Sequence, residues 1–469
     1  MFVICSDNND KSQFNEYLAT TTASILSFLV GIHTGWTSPF IPKLLNSEHY
    51  PFDISKEASS YIAIFGPIGD IFGEICSMLI VDRIGRKTTY VVLGFPMLLS
   101  SILIYFSNIS PIMLYTARFL GGISMGTVVS IYPIYTSEIS RPSIRGKLGV
   151  MGLFFYISGM IVVNFAGKYL NIQQTALISM TVTIIFLLSF LLIPETPYFL
   201  LMKKKFKKAE QSLKFFRRTQ DVNKELISLS EDVNRQLSEN GNFKNLFDID
   251  SNRRALFLIV MGRIFQELTG ATAFTMYAQD ILKDSREILE PQFATMLIYV
   301  VQAVSAPISG ILSDKFGRVS LTVLSTASSS LVLMLLAIYF TLRDNTSYAM
   351  PVWCAVFFLG VFYISFQIGI GSLIAVILGE LFSTSIKSKA ICVANISFSL
   401  TVIVATKFYQ VSTDYMQTCV CFYVFALSTL IGTFFIKFLY PETKGKTLEE
   451  IQMELKRIVK QRSTRKSII

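Results

Sequence analysis

Twelve long apolar runs constrain this chain more than any other feature of its sequence. They fall near residues 18–41, 58–80, 88–106, 112–136, 147–167 and 172–193, then near 254–278, 292–313, 319–341, 348–380, 390–409 and 417–439. About twenty apolar residues cross a bilayer as an α-helix, and inside lipid each backbone amide must be satisfied within its own segment. A membrane barrel would show alternating segments of about ten residues instead. The expectation is an all-α membrane protein with 12 transmembrane helices. Only 16% of the 469 residues are charged, against about 25% in soluble domains, which excludes an ordinary soluble enzyme. The six cysteines (Cys5, Cys76, Cys354, Cys392, Cys419 and Cys421) lie in apolar runs or near the start. They read as free thiols rather than a disulfide framework. Asp7, Asp10 and Lys11 follow a short apolar start, so no cleavable leader is expected.

Charge placement gives an orientation. With both termini cytoplasmic, the inner segments hold 32 of the 42 lysines and arginines and the outer loops hold six, as the positive-inside rule requires. The expected location is the plasma membrane, multi-pass. The net charge of +10 then faces anionic lipid, and the partners expected are the bilayer and a small molecule, with no nucleic acid. Residues 1–17 read as a cytoplasmic N-terminus, 18–193 as a six-helix bundle, 194–253 as a cytoplasmic linker, 254–439 as a second six-helix bundle and 440–469 as a cytoplasmic tail. Phe206, Ala209, Leu213 and Phe216 recur at helical spacing in the basic linker, which suggests amphipathic helices lying on the membrane face.

Three local patterns recur between the halves in the same order. Asp82-Arg83-Ile84-Gly85-Arg86 returns as Asp314-Lys315-Phe316-Gly317-Arg318, Glu138 with Arg145 as Glu380 with Lys387, and Pro194-Glu195-Thr196 as Pro441-Glu442-Thr443. A duplicated six-helix unit suits an alternating-access transporter with its solute held at mid-membrane. All these charges fall at expected cytoplasmic helix ends. Asp82, Arg83, Arg86, Glu138, Arg145, Glu195, Asp314, Arg318, Glu380, Lys387 and Glu442 are therefore candidates for a cytoplasmic gate, in which opposing helix ends pair while that side is shut.

Taken together, these motifs resemble the sugar porter family of the major facilitator superfamily. Arg118-Phe119-x-Gly121-Gly122, Tyr132-Pro133-x-Tyr135-x-Ser137-Glu138-Ile139, Arg145-Gly146-x-x-Gly149, Pro194-Glu195-Thr196-Pro197 and Pro441-Glu442-Thr443-Lys444-Gly445-Lys446-Thr447 carry the likeness. It runs from about residue 25 to residue 452. Gly35-Trp36-Thr37-Ser38-Pro39 is most similar to insect facilitated trehalose transporters and their hexose-transporting relatives. The resemblance implies the major facilitator fold, two six-helix bundles joined by a cytoplasmic helical linker, and a sugar moved by rocking of the bundles.

Within the cavity the resemblance is looser. The family's amide pattern in the seventh span falls here on Arg263, Gln266, Glu267, Thr269-Gly270 and Thr272, and the eighth-span asparagine falls on Gln302. Gln266, Glu267, Thr272, Gln302 and Arg263 are the expected sugar contacts. Leu153, Ala375 and Phe398 stand where the family has polar or aromatic groups, and Gly369-Ile370-Gly371 replaces its proline-bearing stretch in the tenth span. Gating there is expected to rest on Gly369 and Gly371.

Ionisable residues inside the membrane are costly and mark function by default. Arg263 and Glu267 stand at i,i+4, which would let them neutralise each other. Asp70 and Glu74 also stand at i,i+4, and a water-exposed face is the expected reason they are tolerated. Gly122-Ile123-Ser124-Met125-Gly126 matches a hydrolase pattern by letters but sits mid-helix, where that nucleophile turn cannot form; close helix packing explains it better. With two histidines and no Walker or dinucleotide loop, neither catalysis nor a metal or cofactor is expected. Asn345 and Asn108 open outward-facing glycosylation sequons.

The reading is facilitative uniport of a sugar, a hexose or trehalose, by a chain functional as a monomer. A non-transporting sugar sensor, or a carrier of another small organic solute with or without proton coupling, is the alternative. The resemblance places the coupling aspartate of proton-driven members at Thr37, which releases no proton at physiological pH. Glu267, and less readily Asp70 with Glu74, are the substitutes the sequence offers.

Overall fold

The computed structural model describes residues 10–45, 51, 52, 54–238, 243–283, 289–345, 351, 353–382, 384–444, 446, 450, 451 and 453, without the side chains of 10–12, 236–238, 314, 384 and 385. The twelve runs form twelve helices long and apolar enough to cross a membrane. In the first half these are α1 (Gln13–Leu44), α2 (Lys56–Ile84), α3 (Arg86–Tyr105), α4 (Pro111–Ile139), α5 (Arg145–Tyr169) and α6 (Ile172–Leu191). The linker follows with α7 (Pro197–Met202), α8 (Phe206–Arg217) and α9 (Asn223–Ser238), and a single further turn at Asn245–Asp248. The second half comprises α10 (Asp250–Met276), α11 (Pro291–Ser313), α12 (Arg318–Asn345), α13 (Trp353–Leu381), α14 (Ile386–Tyr415) and α15 (Thr418–Leu439). An even number of described spans puts Gln13 and Leu439 on one side, called here the termini end; the other is the far end.

Local signals set the helix starts. The Ser55 and Ser110 hydroxyls accept from the amides of Ala58 and Ile112, and Pro111 fills a first-turn position that needs no donor. Asn171 and Gln174 form a reciprocal capping box at the head of α6.

Small residues then let helices touch backbone to backbone. Gly69 and Gly73 of α2 face Gly122 and Gly126 of α4, and a Cβ at any of the four would stand 1.9–2.2 Å from a facing carbonyl oxygen. Ser124, on the same stretch of α4, faces α3 instead and donates to the Leu93 carbonyl at 2.8 Å. The hydrolase-like letters are a packing motif, as the mid-helix placement implied.

Each half has its own apolar core. Tyr90, Tyr135, Phe186 and Phe190 pack in the first, and Phe274, Phe340, Phe362 and Phe422 in the second. The halves meet through α2 against α14 and α5 against α11. Ile157 and Met160 of α5 pack on Tyr299 of α11 in that seam.

The linker is helical at the expected spacing. Ala209, Leu213 and Phe216 are buried, while Phe206 is exposed. Arg217 at the end of α8 reaches Glu225 at 2.7 Å and Glu16 of α1 at 3.0 Å, so the linker is tied to the first half. Cys76, Cys354, Cys392, Cys419 and Cys421 are free thiols; Cys5 lies outside the described residues.

Candidate functional site

Three spans are interrupted, α1 and α10 toward their far ends and α13 near its middle, and the breaks bring polar groups to the interface between the halves. α1 is interrupted at Trp36. α10 stops after Glu267, turns through Gly270 at φ +82° and restarts at Ala271. α13 is interrupted at Gly369, where a Cβ would meet Ser325 Cβ at 2.2 Å. Backbone groups freed in lipid must be re-satisfied, and side chains do this. Ser325 donates to the Ser365 carbonyl at 2.6 Å and accepts from the Ile370 amide at 3.1 Å, while Ser309 donates to the Ile368 carbonyl at 2.7 Å. The Gln266 amide donates to the Gly371 carbonyl at 3.2 Å, joining the two broken helices.

A continuous polar layer crosses from one half to the other. Arg118 of α4, 1% exposed, donates to the carbonyls of Ile62 and His33. Asp70 of α2 accepts the Ser399 hydroxyl of α14. Asn395, one turn before Ser399, bonds the Glu74 carboxyl and accepts from Arg263 at 3.1 Å. Arg263 also donates to Gln266 at 3.0 Å and lies over the Phe398 ring at 5.3 Å. The Thr272 hydroxyl bonds Glu267. Gln302 is buried on α11 one turn beyond Tyr299 and makes no hydrogen bond to this group.

Two expectations are corrected. Asp70 and Glu74 do not lie on a water-exposed face: they are 3% and 1% exposed and point into the seam between halves. Arg263 and Glu267 do not form a self-contained ion pair. The guanidinium turns to Gln266 and Asn395 and lies within electrostatic reach of both Glu74 and Glu267. Sequence reading also missed Asn395 and Ser399. Phe398 between them is apolar, yet an asparagine in mid-span was itself a signal, because an unsatisfied amide in lipid is costly. Neither Leu153 nor Ala375 lines the central cavity; both are exposed.

That cavity is small. It holds about 60 Å³ between His33, Asp70, Arg118, Tyr156, Thr272 and Phe398, room for a few waters, whereas small-molecule pockets run to about 300–1,000 Å³. A larger cavity, about 320 Å³, opens at the far end between Ser38, Lys56, Tyr277, Tyr409, Gln410 and Asp414. Polar contacts bridge the halves there: Gln279 donates to Asn164 at 2.9 Å, Lys168 meets Glu290 at 2.5 Å, and Lys407 donates to Ser60 at 2.8 Å. Asn345 and Asn108 also lie toward the far end, and both are exposed.

At the termini end the repeated motifs form two matching clusters, each inside its own half. Arg86 contacts Glu138 at 2.9 Å and Asp82 at 3.1 Å, and the Thr196 hydroxyl donates to Glu138 at 2.6 Å. In the second half Arg318 contacts Glu380 at 3.5 Å, with Lys387 beside that carboxylate.

Glu195 and Glu442 do something the sequence reading did not assign. Each carboxylate caps a helix start, Glu195 taking the Lys87 amide at 3.0 Å and Glu442 the Arg318 and Val319 amides at 2.9 and 3.1 Å. An anion belongs at that positive end. Gly85 and Gly317 permit it, with φ +103° and +94° and a Cβ position 2.2 and 2.7 Å from the capping oxygen. Arg83 and Arg145 are exposed and enter neither cluster. The Asp314 side chain lies outside the described residues.

Residues 19–455 match the family model described as Sugar (and other) transporter. The chain is 30% identical to a facilitated trehalose transporter of Bombyx mori, over 94% of this chain and 87% of that one. It is 28% identical to one of Polypedilum vanderplanki, over 94% and 88%. Against the Drosophila pseudoobscura pseudoobscura relative, 27% identical, it spans 51% of that protein's length. In fold it is similar to the xylose transporter XylE from E. coli in a partially occluded inward-open conformation, at TM-score 0.79 and 18% identity, covering 93% of this chain and 100% of that one. A second structure, the major facilitator superfamily proton:xylose symporter XylE with 6-bromo-6-deoxy-D-glucose, gives TM-score 0.77 at 20% identity over 95% and 100%.

Proposed function

Because the chain belongs to the sugar transporter family, we propose that it carries a hexose, or a disaccharide such as trehalose, down its gradient by alternating access. The observation that carries this reading is the polar layer between the halves, with the cavity inside it too small for a sugar. A solute of that size reaches Gln266, Thr272 and Gln302 only when the halves part, and closure behind it completes the crossing. Amide and hydroxyl groups suit sugar hydroxyls, which both donate and accept. Glu267 accepts from a hydroxyl, Arg263 donates to one, and Phe398 offers an apolar face. Gly369 and Gly371 supply the flexible point in α13.

The two termini-end clusters act as a gate by stiffening each half. Their ion pairs join helices of the same half, so each half moves as one lip, and the capping carboxylates of Glu195 and Glu442 fix α3 and α12 to the chain that follows each bundle. Asp82, Arg83, Arg145, Asp314 and Lys387 complete the gate in this reading. An interaction biases alternating access only as far as it differs between the two states. In this reading both termini are cytoplasmic, the membrane is the plasma membrane, the monomer is the working unit, and Asn345, then Asn108, carries glycan.

The test is uptake of radiolabelled glucose and trehalose, within a wider sugar panel, by cells displaying the protein. Saturable uptake that equilibrates without accumulating is expected. Surface-localised protein that moves no sugar or polyol would sink the reading, and uphill accumulation under an imposed proton gradient would remove the uniport assignment.

A further inference from the structure

Where α2 meets α14, Asp70 and Glu74 stand one helical turn apart on the seam between the halves. Each carboxylate is partly bonded: Asp70 Oδ2 by Ser399 and Glu74 by Asn395, while Asp70 Oδ1 and Glu74 Oε2 are buried without a hydrogen-bond partner. Neither forms an ion pair within 4 Å among the described residues. A second group points the same way from the first half. His33 is 5% exposed, its Nε2 has no partner, and it lines the central cavity with Asp70 and Arg118.

The charge of this layer does not balance. Arg118 and Arg263 supply two positive charges, whereas Asp70, Glu74 and Glu267 supply three negative ones when ionised, an excess of one. Desolvated excess charge is expensive, and two carboxylates one turn apart in a low-dielectric seam repel each other. When the halves part, water reaches both carboxylates and relieves the repulsion. When they close, Ser399 and Asn395 replace that water, and the Arg263 that arrives with the second half comes together with Glu267, whose charge offsets it, so no net positive charge is added. The missing charge therefore belongs to the closed state.

We propose that Asp70 and Glu74 form a proton-binding site that fills as the two halves close and empties as they part. The proton comes from water, forms one O–H bond on the carboxylate pair and returns to water when α14 withdraws; no other bond changes. The groups facing the site are His33, Arg118 and Tyr156 from the first half, and Arg263, Glu267 and Cys392 from the second. Arg263 disfavours any added cation at Glu74, proton or metal, but a proton needs only one unpartnered oxygen such as Asp70 Oδ1, whereas a metal ion would need several oxygen ligands in this seam. The proposal rests on the alternating-access reading. Sugar still moves only downhill, because the proton is taken up on every closure whether or not a sugar is enclosed.

The experiment is equilibrium exchange of labelled sugar by the purified full chain in liposomes, with equal pH inside and out, between about pH 5.5 and 8.5. On the alkaline side the rate should fall about tenfold per unit of pH, the one-proton slope, and it should level in acid. Asp70→Asn and Glu74→Gln should each flatten the profile. A readout that needs no sugar is thiol labelling of Thr413→Cys, which lines the far-end cavity; labelling should rise with pH as the closed state is lost. Profiles flat in both assays, or a slope that persists in both carboxylate variants, would overturn the proposal. So would a rate that falls when sodium is replaced by choline at fixed pH, since a metal cation would then hold the place. Labelling that follows pH in a protein that exchanges no sugar would leave the proton site standing and sink the sugar reading.

Discussion

Two ion pairs with equivalent places in the repeat carry unequal weight. Arg86 and Glu138 have side chains 5% and 9% exposed at 2.9 Å, whereas Arg318 and Glu380 are 17% and 30% exposed at 3.5 Å. Breaking a buried pair by removing one partner costs about 3–5 kcal/mol, because the other charge is stranded; a longer, partly exposed pair falls between that and the ~0–1 kcal/mol of a surface pair. Glu138→Ala should therefore lower thermal stability in detergent far more than Glu380→Ala. Equal shifts would show that the clusters are energetically alike. Glu380→Gln should instead act on conformation, slowing transport more than it weakens sugar binding.

Glu442 gives a residue-scale pH dependence. Burial pushes its carboxyl up, but the backbone amides of Lys444, Arg318, Val319 and Ser320 outweigh burial and hold it below its ordinary value of 4.5. A carboxyl whose value is depressed by folding adds stability that is fully present above the unfolded value and is lost as pH falls through the folded one. Wild type should thus melt above Glu442→Gln at neutral pH, and the gap should close below about pH 4.5. A gap that widens in acid would contradict the capping role.

At the scale of elements, the glycines at the heads of α3 and α12 make a symmetrical test. Both have positive φ, and a Cβ at Gly85 would fall 2.2 Å from the Glu195 carboxylate against 2.7 Å at Gly317 from Glu442. A non-glycine residue held in such a backbone region costs about 1–3 kcal/mol. Gly85→Ala and Gly317→Ala should each destabilise by about that much, Gly85→Ala the more because its carboxylate is nearer. Thermal melts of the two variants decide it; a neutral Gly85→Ala would mean that the loop relaxes freely. The breaks in α10 and α13 belong to the same scale, because the backbone groups they free are taken up by side chains of neighbouring helices.

For the whole molecule, the relation between the halves is the working variable. Lys168 and Glu290 join α5 to the start of α11 at the far end. Cysteines at both positions, bridged by a short thiol-specific cross-linker, should block exchange, and a cross-linker cleaved by reductant should restore it. Exchange that continues in fully cross-linked protein would mean that the far end need not open. Transport of this kind needs two rigid bodies and a polar seam, and those parts were unequally legible in the sequence.

The apolar runs determined the twelve helices, since lipid leaves an unpaired backbone no other solution, and the repeated Asp-Arg/Lys-x-Gly-Arg and Pro-Glu-Thr motifs marked the duplication. Even the breaks at Gly270 and Gly369 had a local signal in glycine. Contacts between helices had none. Spacing placed Arg263 beside Glu267 and Asp70 beside Glu74 on shared faces, but it could not say what faced them. Asn395 and Ser399 come from a helix more than three hundred residues after Asp70, and they intercept both pairs. Hydrophobic periodicity reports which face of a helix avoids water. It is silent on which other helix covers that face, and in lipid, where apolar surfaces are nearly interchangeable, the choice falls to close backbone approach and to buried polar groups seeking partners. Those are properties of the assembled bundle, and only the tertiary structure decided them.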